Sequence, residues 1–174
     1  MGTRRNDAEL VAAEARLSAL LSILDSAFDA RSWHGPNLRG VVRGVTAERA
    51  LRRPLAGRHN IHEQVLHAAY WTYAARRVLA GGKRGSFELS ATERGTNWFR
   101  RDPPADARRW RNDLAVLERE HAALRSAVAA LDPRRLDERL GRGSVNVAQL
   151  ISGIAAHHIY HAGQIALLKR ATAT

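Results

Sequence analysis

Apolar residues recur at steps of three and four along several long segments of the chain. The most regular of these stripes lies in residues 110–131 and consists of Trp110, Leu114, Leu117, Leu124, Val128 and Leu131, with His121 in the same series. Because an α-helix has about 3.6 residues per turn, this spacing places all of them on one helical face. No segment shows the strict alternation of apolar and polar residues that is typical of a half-buried strand. The pattern therefore predicts an all-α fold.

Local start and stop signals predict four long helices. Asn60 followed by Glu63, and Asn146 followed by Gln149, are typical of helix N-terminal caps. Glycine at position 81 favours a helix end, and Pro103–Pro104 behind Asp102 favours a helix start. The predicted helices cover residues 8–28, from 61 to the glycines at 81–82, from 103–104 to 132, and from 146 to about 169, with a short helical piece at 46–53 and a long loop at 83–101.

The length and composition favour one helical bundle. A chain of 174 residues is a normal size for a single domain, so residues 1–174 are expected to share one core. Apolar residues make up 45% of the chain but aromatic residues only 6%, which suits packed helices better than a β-sandwich. Four long helices without strands predict a four-helix bundle.

The chain contains no cysteine. This excludes disulfides, a thiolate zinc site and a cysteine nucleophile, so any transition-metal site must use imidazole and carboxylate ligands. No apolar run approaches the roughly 20 residues that cross a bilayer. We therefore expect a soluble cytoplasmic protein with no membrane contact.

The formal net charge of +11 at pH 7 is compatible with nucleic acid, an anionic membrane surface or anionic substrates. Nearly all cations are arginines, with Lys83 and Lys169 as the lysines, and they are scattered over every segment. This distribution favours a solvated, arginine-biased surface. No recognition-helix motif or interleaving of aromatic and basic residues is present, so nucleic-acid binding is not expected.

Three histidines interrupt the apolar stripe of the last predicted helix. At about 100° per residue, His157 and His161 lie within about 40° of each other near the middle of the stripe, and His158 lies towards its edge. Two imidazoles one turn apart on a core-facing surface can bind one metal ion. A pair with this spacing also occurs by chance, as core histidines with one hydrogen bond each.

A third ligand has to come from another helix, and the second predicted helix offers His62 and His67. This helix is apolar on more than one side. Its periodicity therefore does not distinguish between the two histidines.

Three runs of sequence stand out, namely WHGP at residues 33–36, HNIHEQVLHAAYW at residues 59–71 and GIAAHHIYHAGQI at residues 153–165. Together they resemble the DinB/YfiT-like family, and the last run is the most specific. The resemblance extends in order from about Trp33 to Lys169. It implies an up-down-down-up four-helix bundle and a divalent metal site formed by His67, His157 and His161.

The resemblance also implies a function. Family members of known activity include thiol S-transferases that act with low-molecular-weight thiols and a thiol-dependent isomerase. Three neutral imidazoles leave an ion with its full charge and an open position, where it lowers the pKa of a bound water or thiol. We therefore expect a metal-dependent thiol S-transferase or hydrolase acting on a small-molecule substrate, with a low-molecular-weight thiol as cosubstrate. Zinc or nickel is the expected metal, with iron and copper also open, and a homodimer is expected from the resemblance.

Five further residues are candidates for the surroundings of the site. His158 stands where the family often has an acidic residue, which changes either the charge or the outer contacts of the site. His121 is interpreted mainly as a hydrogen-bonded core residue, with a pocket role as the alternative. Glu63 is expected to cap its own helix, or else to orient His67. Trp33 and His34 are expected at the pocket mouth.

A noncatalytic module is the alternative to an enzyme. In this reading the metal stabilises the bundle, and the arginine-rich surface binds a protein or a nucleic acid. Metal-dependent turnover would favour the enzyme, whereas tight duplex binding with a steep salt dependence would favour the module.

Overall fold

The computed structural model describes residues 2–82, 87–91, 93, 95–141 and 143–172. These residues form six α-helices and no strand, which confirms the all-α fold; two short 3-10 helices lie at Glu88–Ala91 and Pro133–Asp137. None of the helices in this described part is long and apolar enough to cross a membrane. The helices are α1 Gly2–Phe28, α2 Leu38–Val42, α3 Ala47–Leu51, α4 Ile61–Leu79, α5 Ala107–Ala129 and α6 Val147–Ala171.

The four long helices pack as a bundle. Helix α4 lies between α5 and α6, and α1 contacts α6 and α5 on the other side. The short helix α2 packs on α6, and α3 packs on α4. The up-down-down-up order and the extent of one domain over residues 1–174 stay predictions.

The predicted caps of α4 and α6 are confirmed. The side chain of Asn60 accepts a hydrogen bond from the backbone N–H of Glu63. The carboxylate of Glu63 in turn accepts a hydrogen bond from the backbone N–H of Asn60. Asn146 and Gln149 form the same reciprocal pair at the start of α6. Helix α4 ends before Gly81, whose φ of 68° lies in the left-handed region that glycine adopts at low cost. These local contacts fix where α4 and α6 begin and where α4 ends.

Two other helix starts were predicted wrongly. Helix α5 does not open at Pro103–Pro104, because Asp106 accepts the N–H groups of Arg108 and Arg109 and starts the helix at Ala107. Helix α1 starts at Gly2, whereas the predicted start was residue 8. Residues 6–12 of this helix are exposed, and apolar periodicity detects only the part of a helix that packs. Helix α2 was not predicted at all.

The buried apolar residues form two clusters, and the histidines of α6 lie at their junction. One cluster includes Ile151 and Ile154 of α6 together with residues of α1 and α5. The other includes Ala162 and Ile165 of α6 together with residues of α2, α4 and α5. Residues 157–161 therefore fall where the apolar packing of α6 changes from one cluster to the other.

Candidate metal centre

Helix α4 is buried on almost every side near its start. Residues 61–69 are all buried, which explains why periodicity does not separate His62 from His67. His62 faces α5, where its Nε2 lies 2.8 Å from an Asp113 carboxylate oxygen. His67 faces α6, with its ring centroid 4.9 Å from that of His161. The two histidines therefore point to different neighbours.

The structure brings His67, His157 and His161 together. One potential ligand nitrogen from each residue lies within 4.8 Å of the other two. The Nε2 atoms of His157 and His161 are 3.1 Å apart. We call these three residues the histidine triad.

Hydrogen bonds orient two rings of the triad. Nδ1 of His67 donates to the backbone carbonyl of Asn97 at 2.8 Å, and Nδ1 of His161 donates to Oε1 of Gln64 at 2.5 Å. With Nδ1 protonated, Nε2 of each neutral ring carries the lone pair. Within the described part of the chain, Nδ1 of His157 is buried and has no hydrogen-bond partner.

Burial keeps the triad neutral. It lowers the pKa of His157 to about 4 and that of His161 to about 3, and the neighbouring imidazoles act in the same direction. Burial also lowers the pKa of His67, against the hydrogen bond to Asn97. All three side chains are thus in the neutral form that binds metals at neutral pH.

The spacing of His157 and His161 is compatible with one shared divalent ion. Two imidazole nitrogens on one tetrahedral zinc ion lie about 3.3 Å apart, because each Zn–N bond is about 2.0–2.1 Å long. The separation of 3.1 Å between the Nε2 atoms of His157 and His161 is close to this value. The donor set of three imidazoles suits zinc, nickel, iron and copper alike.

Trp98 packs against the outer side of the triad. Its ring stacks on His67 at 3.8 Å and on His59 at 3.6 Å, so it lies between the two imidazoles. The neighbouring Asn97 supplies the carbonyl that orients His67. Asn97 and Trp98, which lie within the predicted long loop, therefore form one wall of the site.

His158 and His121 lie outside the triad. His158 is fully buried, and its Nε2 lies 2.8 Å from Oγ1 of Thr72, which donates its own proton to the carbonyl of Ala68. His121 is also buried, and its ring stacks on Phe28 at 3.6 Å. His121 also lines a cavity of about 470 Å³ beside Asp25 and Asp29.

Glu63, Trp33 and His34 are also placed apart from the triad. Glu63 caps α4 and pairs with Arg53 and His59. Trp33 is 97% exposed in the loop between α1 and α2, and its ring contacts His34. Neither Trp33 nor His34 lines the cavity that adjoins His157, so the structure does not place them at its mouth.

The cavity at His157 is a groove of about 360 Å³ between α4 and α6. A second cavity, of about 410 Å³, lies at the start of α4 and is lined by Arg53, Arg58, His59, Glu63, Trp98 and Arg100, together with Gly57. The apolar groove thus adjoins the triad at His157. The second cavity, which is lined by three arginines, adjoins Trp98. The groove is lined by Trp71, Ala74, Ala75, Val78, Val145, Gln149, Leu150, Gly153, Ile154 and His157.

Glu63 is expected to make the stability of the bundle pH-dependent. Burial raises its pKa, but hydrogen bonds from Arg53, the Arg101 backbone and His59 outweigh burial and hold the pKa at about 2. A carboxylate with a lowered pKa stabilises the fold above its unfolded pKa near 4.5, and this contribution disappears as the pH falls towards 2. Glu63→Gln is therefore expected to cost on the order of 3 kcal/mol at pH 7.

Urea unfolding of both proteins at pH 7 and pH 3 checks this expectation. The difference between wild type and Glu63→Gln should be smaller at pH 3. Glu118→Gln removes an exposed partner of Arg39 and should cost at most about 1 kcal/mol at either pH. A difference for Glu63→Gln that stays constant between the two pH values would contradict the ionic role of this carboxylate.

The fold and the triad together define a helical bundle with a buried three-histidine cluster that could bind a metal ion. A family model described as the DinB superfamily matches residues 30–165, most of the chain, so the protein belongs to the DinB superfamily. Comparison with curated proteins and with solved structures gave no match.

Proposed function

We propose that this protein is a divalent-metal-dependent enzyme that transfers a thiol sulfur to an acceptor or hydrolyses a substrate. The observation that carries the proposal is the convergence of three neutral imidazoles. Two of them direct their protonated Nδ1 atoms away from the convergence point, to Asn97 and Gln64. With Nδ1 of His67 and of His161 engaged in this way, the Nε2 lone pairs of these two rings are available to bind a shared cation together with His157.

Each part of the site has a physical role in this proposal. His67, His157 and His161 hold the ion, and the acceptors at Asn97 and Gln64 fix the ring orientation of two of them. A divalent ion with three neutral ligands lowers the pKa of a bound water or thiol and so supplies a nucleophile near neutral pH. Burial of the triad keeps His157 and His161 in the neutral form that binds a metal.

Several finer features belong to the proposal. Zinc or nickel is the proposed metal, and a low-molecular-weight thiol is the proposed cosubstrate, both by analogy with the family. A homodimer is proposed on the same analogy. The cytoplasmic location stays a prediction.

Turnover of thiols tests the enzymatic proposal. Protein loaded with one equivalent of zinc or nickel should consume low-molecular-weight thiols in the presence of electrophilic acceptors, or hydrolyse activated esters. Removal of the metal by a chelator should reduce the rate at least about 100-fold, since a metal ion contributes several kcal/mol to the barrier. His157→Ala should match the metal-free protein. A fully loaded protein that turns over nothing in a broad panel would contradict the proposal.

The noncatalytic alternative depends on the basic surface. Many arginines on that surface are paired with carboxylates within the described residues, among them Arg16 with Asp137 and Arg125 with Asp25. Such interspersed pairs dilute the positive potential that a nucleic acid would require. We therefore favour the enzyme over the module.

A further inference from the structure

The groove beside the triad differs in character from the cavities at Arg53 and at Asp25. About a quarter of the chain is charged, yet the groove is lined by apolar residues and glycine, with Gln149 and His157 as the polar exceptions. The cavities at Arg53 and at Asp25 have charged linings and include no triad histidine. The apolar groove, by contrast, has a triad residue as part of its wall.

The groove is open to solvent and has the size of a ligand pocket. Its volume of about 360 Å³ lies within the usual range of about 300–1,000 Å³ for small-molecule sites. Val145 is 45% exposed, and Gly153 is also exposed. An apolar ligand placed there would remove this surface from water, which is the main source of affinity in such pockets.

We propose that this groove binds the apolar portion of the substrate while the reacting end of the same molecule lies at the triad. The inference rests on the proposed function, because it takes the triad as the reaction centre. It specifies the substrate class: a small molecule with a metal-binding or reacting head and an uncharged hydrocarbon or aromatic tail. His157 belongs to both the triad and the groove, so the head and the tail meet at this residue.

A chain-length series of n-alkyl hydroxamates tests the assignment. The hydroxamate head binds the metal, and the alkyl tail reports on the groove. The zinc content of the wild-type protein is measured first, and isothermal titration calorimetry then gives Kd for each probe. Each buried methylene should tighten binding about threefold, or roughly 100-fold between acetohydroxamate and hexanohydroxamate.

The two possible failures are distinguishable. A protein that retains one zinc ion but binds all chain lengths equally would overturn the groove assignment alone. A protein that retains no zinc would overturn both this assignment and the proposed metal-dependent function.

Two glycines of α6 provide a matched pair of variants. Gly153 lines the groove and Gly163 does not, and both are exposed with no atom within 4 Å of an added Cβ. Both Gly→Leu changes should favour the helix to a similar extent. Gly153→Leu should reduce the affinity ratio of hexanohydroxamate to acetohydroxamate at least tenfold, because the leucine side chain occupies the space of the alkyl tail. Gly163→Leu should keep the wild-type ratio.

A second copy of the chain is the competing occupant of the groove. Analytical ultracentrifugation of the same proteins identifies it. A wild-type dimer that Gly153→Leu dissociates, together with a flat chain-length series, would assign the groove to a subunit interface and overturn our proposal.

Discussion

Replacing His157 by alanine is expected to weaken binding of the divalent ion at least about 100-fold. At protein zinc sites the apparent binding free energy begins at about 10 kcal/mol, so the loss of one ligand of three removes about 3 kcal/mol. His67→Ala should have an effect of similar size, because each residue offers one nitrogen to the same cluster. Metal content after dialysis against a competing chelator, measured by elemental analysis, gives the result directly.

A graded response would identify the triad as an organised site. Gln64→Ala removes the acceptor of the His161 Nδ1 proton but leaves all three ligand nitrogens in place. Loss of such an outer contact typically costs about 10–100-fold in metal affinity. Gln64→Glu keeps an acceptor oxygen and should restore most of the affinity.

The control for nonspecific binding is His34→Ala, which removes a histidine from the loop between α1 and α2. This variant should retain the wild-type metal content. Equal loss in His34→Ala and His157→Ala, or full retention of tight binding in His157→Ala, would show that the triad is not the metal site.

Local sequence signals were sufficient to predict that the four long helices exist and to pair two of the three triad residues. The caps at Asn60 and Asn146 depend on side chains three residues apart, so a single stretch of sequence contains all the information. The pairing of His157 with His161 likewise follows from one turn of one helix. The structure places the Nε2 atoms of these two residues 3.1 Å apart.

The choice between His62 and His67 could not be derived from periodicity. Residues 61–69 of α4 are buried throughout, so no polar face marks the orientation of the helix. What separates the two histidines is tertiary: Asp113 of α5 lies opposite His62, and His161 of α6 lies opposite His67. The family resemblance supplied this information, since a family pattern reflects the three-dimensional arrangement.

The outer contacts of the triad were missed for different reasons. Gln64 precedes His67 by three residues on the same helix, and a polar side chain at this spacing on a buried helix is a signal that could have been used. The contact from Asn97 is made by a backbone carbonyl, which any residue could provide. Trp98 reaches His67 from a loop, so its position depends on the path of the chain rather than on local pattern.

A second buried polar cluster is expected to control the stability of the bundle. Asp113 of α5 accepts hydrogen bonds from His62 at 2.8 Å and from Nε of Arg101 at 2.9 Å. The side chains of Asp113 and Arg101 are only 7% and 9% exposed. The carboxylate thus compensates the charge of a buried guanidinium and joins α4 and α5 to the segment before α5. Glu93 pairs with the other side of the same guanidinium.

Replacing Asp113 by alanine is expected to lower the free energy of unfolding by about 3–5 kcal/mol. Removing Asp113 leaves the buried Nε of Arg101 and the Nε2 of His62 without their acceptor, with Glu93 paired only to the other side of the guanidinium. The penalty for such a buried, partly compensated charge exceeds the net contribution of the pair itself. For a chain of this length, the loss corresponds to a fall in Tm of roughly 10 °C. Urea unfolding and calorimetry of the variant measure both quantities.

Asp137→Ala provides the matched control, because it removes the same carboxylate from an exposed pair. Asp137 and its partner Arg16 have side chains that are 67% and 50% exposed, so solvent screening limits the expected cost to at most about 1 kcal/mol. The contrast between the two aspartates separates burial from charge, since the substitution is identical. Similar losses in both variants would contradict the structural role of the Asp113 cluster, and water would then have to reach Arg101 in the folded protein.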